Sequence, residues 1–130
     1  MVLQVILKVG FSTVHSLYRE RYAYRENMTD VVVQHLISDE RVVVKCRELV
    51  KKLAIYKKRL AIQMPERINI YEVTDDSSDM HYKIMQKINL KFDCTLLVVC
   101  AKHIVLCQEK ILQCLSFEGV LERMVDGISY

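Results

Sequence analysis

Cys100 and His103, in the stretch CAKH, come nearest to a thiol and base pair in this chain. A cysteine nucleophile needs its base placed by the fold and usually a third group to orient that base. These two lie across a strand end and a turn, so a buried thiol beside a turn histidine is the simpler reading. The run DDSSD at 75–79 gathers carboxylates but has neither the glycine nor the terminal bidentate glutamate of a calcium loop. It reads as a solvated connection between strands. His15, His35, His81 and His103 are scattered without an H-x-x-x-H pairing, and no glycine-rich phosphate loop is present. No catalytic residue, metal or cofactor is expected.

Cys46, Cys94, Cys100, Cys107 and Cys114 make an odd count, and none of their spacings forms the C-x-x-C pairs of zinc sites. The N-terminal MVLQVILKVG is apolar, but Lys8 interrupts it and no small-residue cleavage site follows, so it reads as a strand rather than a secretory leader. Reduced thiols in the cytosol follow, most of them acting as small hydrophobes inside apolar strands. The longest uncharged apolar run, CTLLVVCA at 94–101, is far shorter than the roughly 20 residues of a membrane helix. A soluble chain without membrane insertion is expected.

The remaining chemistry is charge. Basic side chains recur at comparable positions: Arg19 and Arg21, then Lys57, Lys58 and Arg59, then Lys102 with His103. A net charge of +3 is too small to predict a nucleic-acid partner without a concentrated patch. These residues are instead a candidate rim for protein contacts, provided the fold brings them together.

The elements that must position them are strands. The one proline, Pro65, lies within YKKRLAIQMPERINIYEV, and a helix through it would lose a backbone donor and clash, at about 3 kcal/mol or more. Leu60, Ile62 and Met64 alternate with Ala61 and Gln63, and Ile68 and Ile70 flank Asn69. This period of two predicts a strand, a tight Met64–Arg67 turn and a second strand. Similar hairpins begin in YRERYAYRENMTDVVVQHL from Tyr18 and CAKHIVLCQEKILQCLS from Cys100, with second strands opening at Tyr22, Leu60 and Ile104. The openings lie 38 and 44 residues apart, close to the roughly 40 to 45 residues of a four-stranded propeller blade. The same spacing also fits an unrelated meander of hairpins.

Before each hairpin lies an apolar segment, FSTVHSLY at 11–18, LVKKLAIY at 49–56 and CTLLVVC at 94–100, the last apolar on both faces as a doubly covered strand would be. RVVVKC at 41–46 and YKIMQKI at 82–88 supply fourth strands, whereas FEGVLERMVDGISY shows no alternation long enough for one. The expectation is an all-β chain of about two and a half four-stranded antiparallel blades: 11–46, 47–90 and an incomplete 91–117, with divergent ends at 1–10 and 118–130. First-to-second and third-to-fourth connections of a blade emerge on the same side. The basic turns should therefore share one face with Asp39 and Glu40 and with Asp75, Asp76 and Asp79, a mixed-sign surface better suited to protein than to nucleic acid. With 52% hydrophobic and 27% charged residues, three glycines and one proline, the chain has material for a core and is not a disordered type.

The stretches RYAYRENMTDVVVQHLI, RELVKKLAIYKKRLAIQMPERINIYE, SSDMHYKIMQKI and KFDCTLLVVCAKHIVLCQEKILQCLSF carry a resemblance to a known family. From Phe11 to Phe117 the chain resembles the second β-propeller of the intraflagellar transport protein 122 family, WD-repeat subunits of intraflagellar transport complex A. MVLQVILKVG and the residues after Arg123 do not share it, which suggests a fragment, a divergent paralogue or a mis-spliced gene. The chain has no tryptophan, so its WD40-like repeats lack the Trp-Asp signature, as degenerate blades do. The resemblance implies a non-catalytic scaffold for retrograde ciliary transport, cilium assembly and ciliary protein entry. It implies other complex A subunits and cargo adaptors as partners, and the cytoplasm, axoneme and basal body as location. Two other classes fit the residues: a stand-alone all-β peptide binder using an exposed sheet edge, and a cysteine-dependent enzyme with an activated thiol.

Overall fold

The computed structural model describes residues 14–73, 80–91 and 94–126. Twelve strands run through them: β1 His15–Tyr18, β2 Arg21–Arg25, β3 Asp30–His35, β4 Arg41–Lys45, β5 Lys52–Tyr56, β6 Arg59–Gln63, β7 Arg67–Val73, β8 Tyr82–Asn89, β9 Leu96–Val99, β10 His103–Gln108, β11 Ile111–Ser116 and β12 Leu121–Val125. Each consecutive set of four forms one antiparallel sheet in sequence order, β1-β2-β3-β4, β5-β6-β7-β8 and β9-β10-β11-β12. This is the all-β propeller-like architecture expected from the repeat.

Local chemistry explains the hairpins. At the proline, Met64 N donates to Arg67 O at 2.8 Å, leaving Pro65 and Glu66 as a two-residue link in which the missing proline N–H is not needed. The hairpins repeat with one register: Tyr22 opposes Leu17, Leu60 opposes Ile55 and Ile104 opposes Val99.

Alternate residues of each sheet face opposite ways, and the sheets bury those faces against one another. Ala23, Val31 and Val33 of the first sheet meet Leu53, Ile55, Leu60, Ile62 and Tyr71 of the second. On its other side, the second sheet presents Ala54, Ala61, Ile68, Ile70 and Ile88 to Leu97, Val99, Ile104, Leu106 and Leu115 of the third. Strand β1 packs on β5 and β5 on β9, so the first strand of every sheet lies innermost.

Two expectations are corrected. The third sheet has its fourth strand, β12, pairing Cys114 with Arg123 and Leu112 with Val125. All five β12 residues are exposed, so no burial pattern marks the segment as a strand. Strand β9 is covered on one face only: Leu97 and Val99 are buried, while Leu96 is 43% and Val98 39% exposed. Its two-sided apolar sequence outruns the single sheet packed on it. The strand expected in MVLQVILKVG and the DDSSD connection lie outside the described residues.

The link between β11 and β12 touches the second sheet. Gly119 has φ +88°, and a Cβ there would stand 2.9 Å from Ile88 Cγ2. Gly119→Ala should therefore cost about 1–3 kcal/mol through strain and overpacking, with Val120→Ala at the neighbouring exposed position within about 0.5 kcal/mol. Urea midpoints of the two variants measure the difference. For the one-sided strand, Leu97→Asp should bury an unpaired carboxylate and cost several kcal/mol. Val98→Asp in this 130-residue chain should cost under about 1 kcal/mol. Equal losses in the same assay would mean that both faces of β9 are covered.

Candidate protein-contact site

The inner strands β1 and β5 end in Tyr18 and Tyr56, whose rings meet edge-on with centroids 5.0 Å apart and planes at 67°. Each tyrosine pairs across a two-residue turn, Tyr18 with Arg21 and Tyr56 with Arg59. The first residues of these turns, Arg19 and Lys57, have φ of 52° and 53°, a left-handed conformation uncommon without glycine. The Arg19 guanidinium carbon lies 5.5 Å from the Tyr18 ring centre, and Lys57 Nζ lies 5.4 Å from that of Tyr56. Each cation thus has an aromatic face beneath it. Together with Lys58, Arg59, Glu20 and Glu72, these turns line a cleft of about 430 Å³ between the first and second sheets.

Arg21 lines the same cleft but does a different job from the one its sequence position suggested. It is 7% exposed. Its Nη1 donates to Tyr82 Oη at 2.8 Å and to Met80 Sδ at 3.4 Å, tying the first sheet to the second. Arg59 is half-buried as well. Its Nε lies 3.8 Å from Glu72 Oε2, an ion pair beyond hydrogen-bond distance, and its guanidinium carbon lies 5.4 Å from the Phe117 ring centre. That Nε is buried and has no hydrogen-bond partner. The exposed cations of the cleft are therefore Arg19 and Lys57, with Lys58 partly exposed between them and Arg59.

Lys102 and His103 line a second cleft, of about 470 Å³, with Phe117, Glu118 and Glu122. Arg59 borders both clefts. His103 Nε2 lies 3.2 Å from Glu122 Oε2, a partner on β12. Leu36 N donates to Glu20 O at 2.7 Å, so the β3–β4 connection with Asp39 and Glu40 stands at the same end as the first basic turn. Asp75, Asp76 and Asp79 lie outside the described residues. The surface is mixed in sign where it can be described.

The thiol readings fare differently. Cys100 N donates to His103 O at 2.8 Å, a backbone bond across the turn, while the His103 ring turns to Glu122. Burial pushes the Cys46 thiol above its ordinary value, partly offset by a hydrogen bond with Tyr71. That direction is opposite to the activation of a cysteine nucleophile. Cys94 Sγ donates to Gln63 Oε1 at 3.1 Å inside the second interface. No group of three or more His, Cys, Asp and Glu side chains suited to a metal ion occurs among the described residues.

Residues 15–126 match the family described as "IFT122 second beta-propeller". The chain belongs to this family. Intraflagellar transport protein 122 homolog of Mus musculus is 69% identical over 114 residues, covering 87% of this chain and 10% of that protein. The Homo sapiens homolog is 68% identical over 114 residues, covering 87% of this chain and 9% of its own. This chain spans about a tenth of the length of those relatives. The family match runs to residue 126, past residue 117 where the third blade was expected to break off. Among solved structures, BamB from Moraxella catarrhalis has a TM-score of 0.63 at 10% identity, covering 87% of this chain and 34% of its own. PorZ from Porphyromonas gingivalis has a TM-score of 0.54 at 14% identity, covering 92% of this chain and 17% of its own. At such identities the likeness is one of fold.

The sequence pattern located the basic turns but not their supports, Tyr82, Glu72 and Phe117. A bulky residue before each turn did signal Tyr18 and Tyr56. Tyr82 is itself titratable, and burial raises its pKa above 10.0 despite the opposing effect of Arg21. A phenol whose folded pKa exceeds its unfolded value contributes stability that is present below pH 10 and lost as pH rises through the folded value. Tyr82→Phe should lower stability at neutral pH by about 1.5–3 kcal/mol through loss of the charged hydrogen bond, and should make the alkaline loss shallower. Denaturation midpoints between about pH 8 and pH 11 test this; parallel curves for wild type and variant would refute it.

Proposed function

We propose that this chain is a non-catalytic scaffold segment of intraflagellar transport complex A, working in cytoplasm and cilium through protein–protein contacts. The observation that carries the proposal is the family match across all three sheets, at an identity well above what a shared fold requires. In this reading the segment supports retrograde ciliary transport, cilium assembly and ciliary protein entry by holding other complex A subunits or cargo adaptors. The basic rim is its contact surface. Rigid sheets presenting loops at both ends suit such a role.

The test is charge reversal at the exposed part of the rim in the full-length protein. Arg19→Glu, Lys57→Glu and Lys58→Glu together leave the buried Arg21 and the stacked Arg59 in place. Stability should change little, since exposed charges contribute little to the fold, whereas a complementary partner would meet like charge. Co-purification with complex A subunits should fall, and cargo should accumulate at ciliary tips. Glu66→Lys with Glu109→Lys, on the turns at the opposite end, is the control. Unchanged co-purification and normal retrograde transport in the triple variant would assign the rim to solvent.

A further inference from the structure

The cations of the first cleft are not gathered into a nest for one dense anion. Arg19 and Lys57 sit on separate turns, each over the ring of the preceding tyrosine. Glu20 and Glu72 are interleaved with them in the same lining. A phosphate group concentrates about two negative charges on one centre and would meet those carboxylates together with the cations. Carboxylates spaced along an extended chain can each find one cation and keep clear of Glu20. The volume, about 430 Å³, is that of a recess that admits side chains, which a flat bilayer surface does not fill.

We infer that this cleft receives an acidic linear segment of a partner protein, its aspartate or glutamate side chains engaging Arg19, Lys57 and Lys58 above the Tyr18–Tyr56 pair. The inference rests on the reading of the rim as a contact surface and adds the chemistry of what it takes. The acidic character of the partner segment matters more than its sequence, because the engaged cations stand on two separate turns.

The test uses purified full-length protein and a short fluorescein-labelled peptide alternating glutamate with glycine around one tyrosine. Fluorescence anisotropy should show saturable binding that weakens as salt screens the charges. The same peptide with glutamine in place of glutamate should bind at least about tenfold more weakly, as should the glutamate peptide to the Arg19→Glu, Lys57→Glu, Lys58→Glu protein, this being about 1.4 kcal/mol. The Arg19→Lys, Lys57→Arg, Lys58→Arg protein should retain binding, which separates lost charge from lost fold. Equal binding of the glutamate and glutamine peptides overturns the inference. So does displacement by equimolar inorganic phosphate, or preferential capture of phosphatidylserine vesicles through the same cations. If charge reversal abolishes co-purification but the wild-type protein ignores the glutamate peptide, the contact surface stands and the acidic segment is overturned. If the peptide binds and co-purification is indifferent to reversal, the cleft chemistry stands and the contact reading fails.

Discussion

Everything in this structure depends on the burial of one sheet face against the next. A hairpin alone is marginally stable in water, and a sheet that is apolar on both sides gains its stability only when each side is covered. The second sheet is the clearest case, with Leu60 and Ile62 facing the first sheet and Ala61, Ile68 and Ile70 facing the third. Small side chains let the inner strands approach: Ala54 pairs with Ala61 across β5 and β6, on the face that meets Leu97 and Val99. The gathering of the basic turns at one end is a consequence of that stacking. Antiparallel connectivity sends every first-to-second turn to the same end, and side-by-side packing of β1, β5 and β9 sets those turns next to one another.

Burial between sheets also decides which charges remain available. Arg21 and Arg59 occupy the matching positions of two hairpins, the first residue of each second strand, yet both are drawn inward. Arg21 reaches Tyr82 across the first interface, and Arg59 lies over Phe117 across the second. Each links neighbouring sheets with a guanidinium, a planar group able to stack and donate at once. The residues two positions earlier, Arg19 and Lys57, sit on the turns in the left-handed region and are exposed. The same hairpin thus supplies one cation for cohesion and another for the surface.

Much of this was legible in the sequence, and the exceptions share a cause. Period-two alternation located the hairpins, and Pro65 could only sit at a turn, so β6 and β7 followed from local chemistry. Recurrence of a bulky residue and a basic stretch located the first-to-second turns. Strand β12 escaped because LERMV is exposed on both faces, and a strand without a buried face carries no hydrophobic signature. The error on β9 has the opposite sign: Leu96 and Val98 are apolar, but among the described residues no sheet covers them. Arg21 was misread because its partner Tyr82 is 61 residues away, a separation no local pattern reveals. Alternation reports what a strand is suited to touch, whereas burial reports what is there to be touched.

That distinction bears on the open face of the third sheet. Registers place Val98 opposite Val105, Val105 opposite Cys114, and Cys114 opposite Arg123. A second row runs through Leu96, Cys107, Leu112 and Val125. Apolar side chains fill most of both rows, with Arg123 at the outer end of one. The covered face of the same sheet is built alike from Leu97, Val99, Ile104, Leu106 and Leu115. A solvated face alternates toward polar residues, and here the pair His103 and Ser116 on the central strands and Arg123 on β12 supply them. Exposure along the second row is uneven: Cys107 is fully buried, while Leu96 is 43% and Val125 41% exposed. Among the described residues the third sheet therefore buries one face against the second and leaves on the other a mixed surface whose apolar part lies over β9.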